Sequence, residues 1–155
     1  MKNEIYSAHK SSIGNLNANI MVLLCYIVPV VIAWIPVVRY VAWLIPLVLF
    51  FMEKQSKLVR FHAMQSFILH MVSAVLSLLI SVVLGGILGV GSLSTATYYA
   101  AAGFAGIVGL VTSAISLVIL LFAIIAMIGA YKYKETHIPI IGGMTEKLLL
   151  RIWQK

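Results

Sequence analysis

The amino-acid sequence predicts an all-α integral membrane protein with four transmembrane helices and an interfacial C-terminal amphipathic helix. Three observations carry this. Of its 155 residues, 63% are hydrophobic and 10% charged, with a mean hydropathy of +1.09, far outside the range of soluble domains. Its apolar residues gather into two long stretches, Ile20 to Met52 and a longer one ending at Tyr131, divided by the charged hinge Glu53 to Arg60. The net charge of +7 sits in short flanks beside these stretches, where anionic lipid headgroups attract it. Membrane lipid, not nucleic acid, is therefore the expected partner. The single cysteine, Cys25, lies inside an apolar run and has no partner for an internal disulfide.

In chain order, residues 1–19 are polar and lack the basic, apolar and small-residue succession of a signal peptide, so they read as a cytoplasmic tail. Residues 20–133 form the expected membrane domain. Its first part, Ile20 to Met52, carries one charge, Arg39, near its middle. A single helix crosses ~30 Å of hydrocarbon with about 20 residues, so two short spans are predicted, at 20–36 and 38–52. Pro29, Pro36 and Pro46 cut this region, and Trp34, Tyr40 and Trp43 flank the turn as interfacial aromatics do. Each half is short for a full crossing, which leaves open a re-entrant hairpin returning to the same side. A third span is predicted at 61–89, weakened near its end by Gly85, Gly86, Gly89 and Gly91. The uncharged stretch Ser92 to Ala102 suits an outer loop. The fourth span, at 106–131, is closed by Tyr131-Lys132-Tyr133-Lys134. Residues 134–155 read as an interfacial cytoplasmic tail that turns at Pro139 and Gly142-Gly143. There Met144, Leu148, Ile152 and Trp153 gather on one side of a short helix and Lys147, Arg151 and Lys155 on another.

Four spans place ten of the eleven Lys and Arg residues on one side, with only Arg39 opposite. The positive-inside rule then puts both termini in the cytoplasm of a cell-membrane protein.

Three sets of residues stand out. Arg60, His62 and Gln65 lie where the third helix leaves the headgroup layer, and are expected to form a polar cluster tied to the turn Ile138 to Gly143. A guanidinium there binds a phosphate or a free carbonyl, or serves as an orientation anchor. Along one face from His62, Ser66, His70, Ser73, Ser77 and Ser81 follow at steps of three or four. Such a stripe faces the bundle interior as packing or lines a hydrated path. Small residues four apart, Gly85 with Gly89, and Ala105, Gly109 and Ser113, permit close helix approach, within the chain or to a protein partner or second copy.

Enzymatic readings find little support. The sequence has no aspartate, and its four glutamates, Glu4, Glu53, Glu135 and Glu146, fall outside the predicted spans. A paired-carboxylate site within the membrane therefore has nothing to use. His62 and His70 lie ~12 Å apart along a helix, too far to share an ion directly. No cofactor is expected.

Several of these pieces, Leu24-Cys25-Tyr26-Ile27, Glu53-Lys54, Val59-Arg60-Phe61-His62-Ala63-Met64-Gln65-Ser66, Ile138-Pro139-Ile140-Ile141-Gly142 and Thr145-Glu146-Lys147, resemble a family of small bacterial and archaeal membrane proteins of unknown function. That family is related to the chloroplast inner-envelope import component of the Tic-twenty type. The first apolar region and the glycine-rich linker are longer here than in many of its members. The resemblance implies a component or partner subunit in membrane transport or protein translocation. The alternative is a structural or regulatory membrane module acting through helix contacts alone.

Overall fold

The computed structural model describes residues 4–91 and 94–153; the side chains of residues 39, 85, 87–91, 96–98, 101 and 153 lie outside that description. Five α-helices account for most of the chain: α1 (Ala18–Ile32), α2 (Ile45–Met52), α3 (Lys57–Gly91), α4 (Thr95–Tyr131) and α5 (Ile141–Trp153). Two short 3-10 turns, Val38–Tyr40 and Ala42–Leu44, lead into α2.

Two of these helices, in the stretches Lys57–Leu84 and Ala102–Tyr131, are long and apolar enough to cross a membrane. The first apolar region differs from its predicted pair of spans. Pro29 removes a backbone donor near the end of α1, which stops at 15 residues, and α2 has only 8. At ~1.5 Å per residue these rods are about 22 and 12 Å long, against the ~30 Å of a hydrocarbon core. The predicted outer loop Ser92 to Ala102 also differs, because α4 begins at Thr95. Thr, Tyr and Ala there lack charge but do not break a helix, so the composition that suggested a loop had no physical stop in it.

The chain divides into two units. The first holds Met1–Met71 with Leu121–Lys155, the second Val72–Leu120. Among the described residues the buried core lies in the first and includes Met21, Val22, Cys25 and Tyr26 of α1, Phe50 of α2, Leu58, Val59, Phe61, Met64, Ile68 and Leu69 of α3, Ala126 and Ala130 of α4, and Ile138 and Leu149 beyond. The second unit contains stretches of α3 and α4, and none of its described residues is buried.

The N-terminal segment, expected as a free tail, is built into the first unit. Ile5 pairs with Lys134 in an antiparallel bridge, Tyr6 N–H donates to Tyr133 O at 2.9 Å and Glu135 N–H to Glu4 O at 2.9 Å. Closer to α1, Ala18 N–H reaches His9 O at 3.0 Å. Helix α5 turns Gly142, Thr145 and Leu149 inward and leaves Met144, Leu148 and Ile152 exposed.

Candidate functional site

The polar residues of the first unit form a hub where the ends of four elements meet. Glu53 follows α2 in extended backbone (φ −77°, ψ 123°) and leads into α3. Its carboxylate, 2% exposed, accepts from Ser11 Oγ, from Ser12 N–H (3.1 Å) and Ser12 Oγ (2.7 Å), and from the N–H groups of Gln55 and Ser56 (2.9 Å each). Burial alone would raise its pKa. The donors from Ser11, Ser56, Ser12 and Gln55 outweigh burial and pull it down to about 2.

Beside it, Ser56 caps α3: its Oγ accepts from Val59 N–H at 3.2 Å, the third orphan donor of the helix. The same Oγ lies 2.7 Å from His9 Nε2, and His9 Nδ1 lies 2.8 Å from Ser7 O. A carbonyl only accepts, so Nδ1 carries a proton and donates it to Ser7 O, and Nε2 pairs with the Ser56 hydroxyl.

Deeper in the unit, α3 grips the segment that follows α4. Gln65 Nε2 donates to Thr136 O and to Tyr26 Oη, each at 3.0 Å, and Gln65 Oε1 accepts from Ile138 N–H at 3.2 Å. His62 Nε2 donates to Lys134 O at 3.3 Å, which leaves Nδ1 to accept from Tyr26 Oη–H at 3.2 Å. Tyr26, His62 and Gln65 are all fully buried. The clamp thus satisfies three backbone groups of a non-helical stretch that the helix ladder cannot reach. Arg60, grouped with these two in sequence, is directed elsewhere: its guanidinium carbon stands 4.8 Å above the Phe50 ring.

A third cluster lies at the bridge. Tyr6 Oη is 2.6 Å from Glu135 Oε1 and 2.9 Å from Glu4 Oε2. Burial, then repulsion from Glu4, raises the Glu135 pKa against the hydrogen bond from Tyr6. Tyr6 is raised as well, by burial and by both carboxylates. Among the described residues no three His, Cys, Asp or Glu side chains are grouped to hold a metal ion.

The serine stripe does not keep one environment. Ser66 is buried and donates to Cys25 O of α1 at 2.7 Å, and His70 folds back onto Ser66 O at 2.8 Å. Ser73 and Ser77 belong to the second unit, where they line a cavity of about 100 Å³ with Thr112 and Ser116 of α4. Ser81 is exposed and bonds the Ser77 carbonyl at 2.8 Å. Of the small residues, Gly109 has open space where a Cβ would stand, and Ser113 bonds its carbonyl at 2.9 Å. Ala105 is half-buried, and the surroundings of Gly85 and Gly89 lie outside the described residues. Close approach occurs instead at Gly129, where a Cβ would come within 2.8 Å of Thr136 Cβ, and at Gly142, within 2.7 Å of His137 Cβ. Gly129 carried no sequence signal, because its neighbour Thr136 is placed only by the clamp.

No curated protein and no solved structure matches the chain. A family model does match, over residues 17–145: that of the magnetosome magnetite crystal formation protein family, MamF/MmsF. This overturns the resemblance to the Tic-twenty type and, with it, the reading as a transport or translocation component. The residues that suggested that resemblance, His62 and Gln65 above all, serve here to hold a segment in place, a packing task that does not identify a transport activity. With five-sixths of its length inside that match, the chain belongs to the MamF/MmsF magnetosome magnetite crystal formation family.

Proposed function

We propose that the chain is a structural module of the magnetosome membrane, supporting magnetite crystal formation through helix and lipid contacts and without a catalytic step of its own. The observation that carries this reading is the family match over residues 17–145. The hub agrees with it, because Glu53, Tyr26, His62 and Gln65 direct their hydrogen bonds into the protein's own backbone and side chains. A rigid cytoplasmic-side hub then fixes how α3 and α4 enter the bilayer. In this reading both termini and the Glu53 hinge face the cytoplasm, where ten of the eleven Lys and Arg residues gather.

The test is deletion and complementation in a magnetite-forming host, scored by crystal size in electron micrographs. Loss of the gene should shrink or deform the crystals, wild type should restore them, and a variant with a broken clamp, Gln65→Ala, should not. Normal crystals in the deletion strain would end the proposal. Reporter tags at the N-terminus, Gln55 and the C-terminus should read cytoplasm, and a tag at Ser94 should read the opposite side.

A further inference from the structure

We infer that the α1–α2 hairpin enters the bilayer from the hub side and ends inside it, so that the protein is a wedge favouring membrane in which the hub-side leaflet is convex. The inference rests on the membrane reading above but goes beyond it, since that reading does not require curvature.

Register within the first unit supplies the first support. Both ends of the hairpin are tied to the hub: Asn19 Nδ2 donates to Tyr131 O at 3.3 Å and Glu53 closes the returning arm. From there α1 rises about 22 Å and stops. On the returning arm Trp43 stacks on Phe67, ring centroids 5.8 Å apart, and Phe67 lies only about 15 Å along α3 from its first residue, Lys57. The apolar part of α3 continues to Leu84, 28 residues in all. An arm of about 22 Å falls short of the ~30 Å hydrocarbon core, so the hairpin does not reach the far headgroups.

Its tip supplies the second support. Trp34, Val37 and Tyr40 are 85%, 79% and 75% exposed. Acyl chains are the occupant that suits these side chains, since the segment carries only one charge, Arg39. Val37 adds a backbone sign, with φ at +70° in a β-branched residue, a turn forced tight enough to reverse the chain within the membrane. On the hub side, α5 exposes Met144, Leu148 and Ile152 beside Lys147 and Arg151, an apolar face flanked by cations that would add area to the same leaflet. Inserting apolar bulk into one leaflet expands it relative to the other. A vesicle pinching into a cell has its cytoplasmic leaflet convex, the shape this wedge fits.

Two measurements on the full-length protein in anionic vesicles decide the matter. A fluorophore on Val37→Cys in a Cys25→Ala background should be quenched by acyl-chain nitroxides about twofold more than by headgroup nitroxides. Stronger quenching from the headgroups would place the tip at the far interface and overturn the half-depth hairpin. Protein density, read vesicle by vesicle, should be about twofold or more higher on small sonicated vesicles than on large extruded ones. Equal density would overturn the wedge. Trp34→Ser with Tyr40→Ser should lose that enrichment while Leu148→Ser keeps most of it; the reverse pattern would move the effect to α5 and overturn the hairpin as its source. Extraction of the protein by carbonate would overturn both this inference and the membrane reading beneath it.

Discussion

The same two helices, α3 and α4, run through regions with opposite chemistry. Within the first unit α3 is buried at Leu58, Val59, Phe61, Met64, Ile68 and Leu69 and carries the Gln65 clamp; in the second, Val75, Leu78, Leu79, Val82 and Val83 of the same helix are exposed. The difference teaches where folding free energy comes from. In the first unit apolar burial and satisfied polar groups stabilise a defined arrangement. In the second, none of the described residues is buried, so lipid covers the exposed apolar surface and side-chain identity matters mainly through hydropathy. Substitutions should therefore be costly in one region and mild in the other.

The largest effect is expected at the clamp. Gln65→Ala removes three hydrogen bonds and strands Ile138 N–H in a buried place and Thr136 O in a half-buried one. At about 1 to 3 kcal/mol per stranded group, a loss of about 3 kcal/mol is expected. Ser113→Ala, which removes one back-bond on an exposed face, should stay within about 0.5 kcal/mol. Thermal unfolding in detergent reads both; equal melting temperatures would erase the contrast.

Glu53 comes next and adds a sign. Its folded-state pKa is depressed, so its contribution is present above the ordinary value of 4.5 and is lost as pH falls through 4.5 toward about 2. Glu135 is raised and acts oppositely: its protonated form suits the fold, so its effect weakens stability as pH rises past its ordinary range. Glu53→Gln should cost about 2 kcal/mol at neutral pH and remove the acid-side loss. Glu135→Gln should leave that acid limb in place. An unchanged pH profile for Glu53→Gln would show that the serines, not the charge, hold the hinge.

Much of this contrast was legible in the sequence, and some of it was not. The two long helices follow from apolar length alone, and Gln65 stood out with Arg60 and His62 where the third helix leaves the headgroup layer. Its partners were only partly visible, since Thr136 and Ile138 lie about 70 residues away and present backbone, which every residue has. The N-terminal segment read as a tail because its order comes from non-local bonds, Ser11 to Glu53 and Tyr6 to Glu135, with no periodicity to announce it. The shortness of the first hairpin was half-visible in its prolines, but where Pro29 would end α1 depended on packing. The family was misread because a short polar motif that performs a packing task carries little information about activity.

The finest test applies one substitution to both regions of a single helix. At Gly109 of α4 a Cβ meets nothing within 4 Å, so Gly109→Ala should gain about 0.5 to 1 kcal/mol by restricting the unfolded chain and improving helix propensity. At Gly129, some 20 residues on, the new Cβ would stand 2.8 Å from Thr136 Cβ. Rotating the threonine cannot relieve a contact made by its own Cβ, so backbone must move, and the backbone in question is the stretch held by Gln65 and His62. Gly129→Ala should therefore lose about 1 to 3 kcal/mol, as overpacking does. Its cost should fall when Gln65→Ala has already released that stretch, giving a double-mutant coupling that Gly109→Ala does not show. If the two alanines shift melting alike, α4 meets the same surroundings along its whole length and the division of the chain into a built half and a lipid-covered half is wrong.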